Sequence, residues 1–219
     1  DARTLGISDW RGEHFDRLLA CARVRMDVGR VHLGGGPHGD AVEYFVETCS
    51  FGLDAAIALG TVALRRRTGL RGALLYGASG LGQFGLGFRH FPVRVRLDGR
   101  DLGRLRALLF AMQIGPTYGS GFRVCPGADP ADGLLDICYA HGAVPRAVAL
   151  PAFLSARGGR HTGLPFIHMA RARRVELAFE RSDVPIQTDG EQVRASRMTV
   201  ECLPRELTVL KPIAATRAR

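Results

Sequence analysis

The chain of 219 residues has a single lysine, Lys211, so nearly all of its 30 basic residues are arginines. Against 21 acidic residues they leave a net charge of +9. Such a surplus suits nucleic acid, an anionic membrane surface or a phosphorylated ligand, although arginine used this uniformly also reads as a compositional habit. Aromatic residues make up only 7% and do not interleave with the basic ones as a single-strand binder requires, which sets nucleic acid aside. Five cysteines (Cys21, Cys49, Cys125, Cys138, Cys202) form no CxxC pair, so neither a disulfide framework nor a zinc site is indicated. Cys49 and Cys138 lie among apolar neighbours, where free cysteine behaves as a small hydrophobe, and a reducing, cytoplasmic setting fits. The longest uncharged run, Gly72 to Phe88, carries six glycines and falls short of the ~20 mainly apolar residues of a membrane span. It could touch a bilayer without crossing it. The first residue is Asp1 rather than Met, which reads as a chain with something upstream removed or left out.

A nucleotide cradle is also missing. Gly80-Leu81-Gly82-Gln83-Phe84-Gly85 matches GxGxxG, but an alternating strand rather than a helix follows it and no carboxylate stands about 20 residues on. Gly34-Gly35-Gly36 lacks the lysine of a phosphate loop. The seven histidines show no HExxH or other paired spacing, and His161, in a glycine-rich turn, reads as a structural hydrogen-bonder.

What remains is mostly period two. Val93, Val95 and Leu97 alternate with Arg94, Arg96 and Asp98 ahead of the turn pair Asp98-Gly99. Val175 to Phe179 and Met198 to Cys202 alternate likewise; Leu105–Met112, Leu134–Tyr139 and Leu207–Leu210 read as further strands. Asp27 to Val31 and Tyr44 to Cys49 are expected to pair as a hairpin. Helical spacing predicts an opening helix from Ser8 or Asp9 to about Arg25, a second over Asp54–Arg67, and a third over Val144–Arg157 despite Pro145 and Pro151. Many short strands with few helices predict a mainly β fold with appended helices, a sandwich or barrel.

Two carboxylate clusters carry the chemistry. Asp129 and Asp132, three apart on a tight turn, could direct oxygens at one hard cation, or simply bond the local backbone as Asp-Pro and Asp-Gly turns do. Asp189-Gly190-Glu191 is a two-residue hairpin signal that could equally hold a base at a loop tip. Spacing alone does not choose in either case.

In order along the chain, Asp1 to Ile7, Asp27 to Val31, Tyr44-Phe45-Val46 with Gly52 to Ala55, Gly115 to Phe122, Pro126 to Asp136, Gly159-Arg160-His161 and Gln187 to Glu191 resemble one family. These pieces are similar to the carboxy-terminal domain of bacterial diacylglycerol-kinase-like and sphingosine-kinase-like lipid kinases, of the NAD kinase superfamily. The resemblance runs from about Asp1 to Pro212. Glu47 and Gln113 depart from its usual asparagines and Ser120 from a glycine.

The resemblance implies a β-sandwich over residues 27–212, preceded by a linker helix over 1–26 and followed by a tail over 213–219. It implies an ATP-binding amino-terminal half bearing G-G-D-G-T, absent from this chain, so that the chain alone is expected to be inactive. In the complete enzyme the γ-phosphoryl of ATP would pass to a lipid hydroxyl such as that of diacylglycerol. Asp189 or Glu191 is implied as the base, and Asp129, Asp132 and the Leu134 carbonyl as a structural Mg²⁺ site. The partners implied are ATP, a lipid at an anionic membrane surface and, left open, a second copy in a homodimer. The alternatives carried forward are a freestanding non-catalytic lipid-binding β-sandwich module and a kinase acting on NAD.

Overall fold

A computed structural model describes residues 21–37, 39–68, 79–80, 82–85, 87–119 and 121–212. The expected opening helix up to residue 20, most of the glycine-rich stretch, Ser120 and the tail lie outside the described residues. The elements run β1 (Cys21–Gly36), β2 (Gly39–Phe45), β3 (Thr48–Gly52), α1 (Leu53–Thr68), β4 (Phe91–Leu97), β5 (Arg100–Gln113) and β6 (Leu135–His141). They continue through α2 (Arg146–Ser155), two short 3-10 turns (Ala156–Gly158 and Arg160–Gly163), β7 (Ile167–Ala172), β8 (Arg174–Phe179), β9 (Ile186–Thr188), β10 (Glu191–Val193) and β11 (Arg197–Pro212).

All strand pairings are antiparallel, and the main path is β10-β9-β3-β5-β4-β8-β11-β1-β2, with β6 and β7 branching from β5. The branch lies on β5 itself. Its first half pairs β4 from Arg100 to Ala107, and its second half pairs β6 from Ala107 to Gln113. A strand that changes partners midway turns the corner between two layers, and the sheet curls into the expected β-sandwich. Its interior holds Phe45, Phe51, Phe110, Met112, Val93, Val95, Ile137 and Leu177, all almost fully buried. Two smaller apolar clusters sit on the other face of β3, β5 and β6. One gathers Leu53, Ile57, Leu108, Ala140 and Ala149 beneath α1 and α2; the other gathers Ala111, Val124, Cys125 and Cys138.

The opening helix does not reach Arg25, because β1 begins at Cys21. Residues 21 to 26 pair with 207 to 212 of β11, which moves the expected domain boundary at 26/27 into a strand. The cause is visible in retrospect, since Val24 and Met26 alternate with Arg23 and Arg25. The last two expected strands are one, interrupted where Met26 pairs Leu207 but Val28 pairs Leu203. Arg205, at φ 53, lies in this bulge, and the buried Asp27 fills it by accepting the Arg205 N–H at 2.7 Å.

Candidate active site

Asp189 and Gly190 have φ of 46° and 92°, the left-handed pair of a type I′ turn. They close the β9–β10 hairpin, in which Thr188 opposes Glu191. The Asp189 carboxylate is committed to the backbone. Its Oδ2 accepts the Val46 N–H at 2.7 Å, and its Oδ1 accepts those of Glu47 and Thr48 at 3.0 and 2.9 Å. Together these bonds pin the break between β2 and β3. The same device recurs at the Asp98-Gly99 turn, where Asp98 accepts the Arg173 and Arg174 N–H groups at 3.0 and 2.8 Å. Glu191, two residues on, is exposed at the start of β10.

Behind this turn a buried polar bridge crosses two strands. The Gly190 N–H donates to Gln187 Oε1 at 2.7 Å, and Gln187 Nε2 donates to Ser50 Oγ at 2.7 Å. Ser50 in turn hydrogen-bonds Asp54. Asp54 opens α1 yet is only 7% exposed, and its Oδ2 has no partner. Burial raises its pKa to about 6, partly offset by the Ser50 bond. A half-satisfied buried carboxyl is costly, and it stands at the wall of a recess.

That recess is narrow, with a cavity volume of about 50 Å³, and is walled by Leu108, Phe122, Ala149, Phe153, Phe166 and Ile167, with Asp54 and His161 among its polar residues. Its lining, apolar with a few polar groups, is of the kind that takes an acyl chain. His161 Nε2 lies 3.0 Å from the Val124 carbonyl; a carbonyl only accepts, so Nε2 carries the proton. Burial lowers the His161 pKa, and its Nδ1, unpartnered, is left as an acceptor. The neighbouring polar row Thr48, Gln113, Asp136, Arg171 runs strand to strand. Thr48 Oγ1 and both amide atoms of Gln113 are buried there without partners.

In the aspartate-rich turn the carboxylates bond the local backbone. Asp129 Oδ1 accepts the Ala131 N–H, and Asp132 Oδ1 accepts the Leu134 N–H, each at 3.0 Å. Asp132 Oδ2 is taken by the Arg171 guanidinium. Buried Asp27 ties the turn to β1, accepting the Gly133 N–H while its own N–H donates to the Pro130 carbonyl, both at 2.7 Å. Asp136 lies 3.3 Å from Arg171 Nε. Burial raises its pKa to about 6, Arg171 opposes the rise, and Asp132 and Asp129 add to it. Among the described residues no three His, Cys, Asp or Glu side chains group around one point. One oxygen of each of Asp129 and Asp132 serves the turn's own backbone and Asp132 Oδ2 meets Arg171, so Arg171 competes for the charge of the implied Mg²⁺ set of Asp129, Asp132 and the Leu134 carbonyl. If Arg171 alone neutralises the turn, the melting temperature is expected to be unmoved by EDTA or Mg²⁺, and a shift would assign the turn to the ion. Arg171→Ala is expected to cost on the order of 2 kcal/mol, between the limits for exposed and buried pairs; thermal denaturation with and without the chelator checks both.

Sequence reasoning named Asp189 and Glu191 as candidates and gave no role to Asp54, Ser50 and Gln187. Asp54 lay inside the quoted Gly52 to Ala55 segment, where a carboxylate in the first turn of a helix needs no further explanation.

The family described as the YegS C-terminal NAD kinase beta sandwich-like domain matches residues 47–211. A Mycobacterium tuberculosis (strain H37Rv) protein named diacylglycerol kinase is 32% identical over 126 residues, which is 57% of this chain and 39% of that protein. A Stenotrophomonas maltophilia (strain K279a) protein named "Probable lipid kinase YegS-like" is 29% identical over 144 residues, 64% of this chain and 45% of that one. The chain therefore spans less than half the length of these curated relatives. A solved diacylglycerol kinase from Bacillus anthracis str. Sterne superposes with a TM-score of 0.62 at 15% identity, covering 98% of this chain and 63% of that one. Yeast NADH kinase superposes at 0.53 and 8% identity, covering 93% and 50%. At such identities the structural likeness is one of fold.

Proposed function

This chain belongs to the YegS C-terminal NAD kinase beta sandwich-like domain family, and on that premise we propose that it is the acceptor side of a lipid kinase. The reaction proposed is transfer of the γ-phosphoryl group of ATP to a lipid hydroxyl such as that of diacylglycerol. The observation that carries this reading is the polar bridge Gly190–Gln187–Ser50–Asp54, which joins the Asp189-Gly190-Glu191 turn to the wall of an apolar recess. A lipid acceptor needs both parts, an apolar bed for its chain and polar groups for its hydroxyl-bearing end. The recess offers the first, and the unpartnered Asp54 Oδ2 and His161 Nδ1 offer the second.

In this reading ATP, with its magnesium, supplies the phosphoryl group and is held mainly by residues outside this chain. Phosphoryl transfer has a loose transition state, so positioning and charge neutralisation do most of the work. The lipid hydroxyl oxygen attacks the γ-phosphorus as the bond to the bridging oxygen of ADP breaks. Glu191, exposed and without the backbone bonds that hold its neighbour, takes the hydroxyl proton. Asp189 acts through the turn: by anchoring Val46 to Thr48 it fixes the hairpin from which Glu191 projects.

The test is transfer of label from γ-labelled ATP by the full-length protein, offered diacylglycerol in mixed micelles and, separately, NAD. Labelled phosphatidic acid is the expected product. Labelled NADP instead would assign the chain to the nucleotide-phosphorylating branch of the fold. Saturable lipid binding with no labelled product would replace the kinase reading by a non-catalytic lipid-binding module.

A further inference from the structure

We propose that the outer face of α2 docks on an anionic membrane surface and delivers lipid to the recess behind it. The proposal rests on the lipid-kinase reading for the delivery step alone. Helix α2 is apolar on two sides. Ala149, Ala152 and Phe153 face the recess, while Val148, Leu150 and Leu154 are 42%, 36% and 57% exposed on the outside. A helix that is apolar all round is normally buried, and this one carries no charge between Arg146 and Arg157.

Charge selects the occupant. From Ile137 to Val175 the chain contains no aspartate or glutamate and six arginines. Arg171 and Arg174 are spent on carboxylates of the fold. Arg146, Arg157 and Arg160, at the two ends of α2, have no carboxylate partner among the described residues. Arg146 and Arg157 stack instead over Phe88 and Phe122, 5.5 and 5.7 Å from the ring centroids, which holds the guanidinium groups beside the apolar strip. An apolar strip flanked by arginines is the pattern of an interfacial helix, which sinks about 5–10 Å into the boundary between headgroups and acyl chains. A protein partner would need an acidic rim around an apolar groove; a bilayer with anionic headgroups supplies both layers at once. Because the opposite side of the same helix walls the recess, a lipid leaving the bilayer beside α2 has an apolar path inward.

The experiment is flotation of the full-length protein with phosphatidylcholine vesicles, with and without phosphatidylglycerol, for the native chain and for Leu150→Glu/Leu154→Glu. Neither substituted residue lines the recess. The native protein is expected to float with the anionic vesicles and weakly with neutral ones, and the variant to partition roughly tenfold less or worse. The variant's melting temperature and its turnover of short-chain, monomeric diacylglycerol should be unchanged. Equal flotation of variant and native protein overturns the proposal, as does indifference to phosphatidylglycerol. So does a concentration-dependent dimer in vesicle-free sedimentation that the variant abolishes, since α2 would then be covered by a second copy. Flotation needs no ATP, so a protein that floats as described but phosphorylates no lipid sinks the kinase reading and leaves the docking face standing.

Discussion

Glu191→Gln in the full-length protein is expected to lower turnover by about 10²–10⁴, the usual contribution of a positioned acid or base, and to melt like the native chain. Asp189→Ala is expected to lower turnover too, but with a loss of about 1–2 kcal/mol in stability. The difference follows from what each carboxylate already does. Asp189 accepts three backbone N–H bonds across the β2–β3 break. A proton taken by Asp189 would weaken the three bonds by which it anchors that break. Glu191 stands exposed on the adjacent strand. Asp189→Asn separates anchoring from basicity, because one carbonyl oxygen can keep the Glu47 and Thr48 bonds while only the Val46 bond is lost. That variant should retain measurable turnover, with melting between native and Asp189→Ala. Dead Asp189→Asn of native stability beside active Glu191→Gln would reverse the assignment.

What could be read from the sequence depended on whether the signal was local. Strands with one wet face declared themselves: Val93, Val95 and Leu97 alternate with charged residues because their apolar side packs inward. The Asp-Gly turns were equally plain, since few residue pairs accept two left-handed conformations in a row. Strand β7 went unread because its six residues, Ile167–Ala172, mix His and Arg with apolar residues and place Met169 on the exposed face. The three-residue strands β9 and β10 are too short for any period. The site was legible only where it coincided with a turn. Gln187 meets Ser50 across 137 residues of chain, and that neighbourhood exists only once β9 has paired with β3. Asp54 looked like an ordinary helix-start carboxylate; its burial is a product of tertiary packing, which sets its chemistry more than its position in the helix does. For the aspartate-rich turn, the residue that competes with a cation is Arg171, which lies on β7, the strand the sequence did not disclose.

Asp54 yields the other large effect, in which stability and function move in opposite directions. Folded Asp54 holds its proton up to about pH 6, against an ordinary value of 3.8. Across that window the folded chain binds more protons than the unfolded one, so stability falls as pH rises, and the loss is complete above the folded pKa. A shift of this size corresponds to up to ~3 kcal/mol at neutral pH. Asp54→Asn removes the charge that causes the loss. It is expected to be more stable than the native protein at pH 7.5 by about 1–3 kcal/mol and nearly equal to it at pH 4, as read by urea denaturation across pH. Asp136 is raised in the same direction to about 6, so the single variant should flatten the profile only in part, and Asp54→Asn/Asp136→Asn more fully. A carboxyl kept at such a cost, at the wall of an apolar recess with one oxygen unpartnered, is expected to find its partner in the lipid's hydroxyl-bearing end. In the full-length protein Asp54→Asn should therefore raise KM for diacylglycerol tenfold or more while leaving KM for ATP unchanged. A stabilised variant with native KM would make Asp54 a purely structural residue and would remove the polar end of the proposed acceptor site; a variant less stable than native at pH 7.5 would show instead that the ionised carboxyl is already satisfied within the fold.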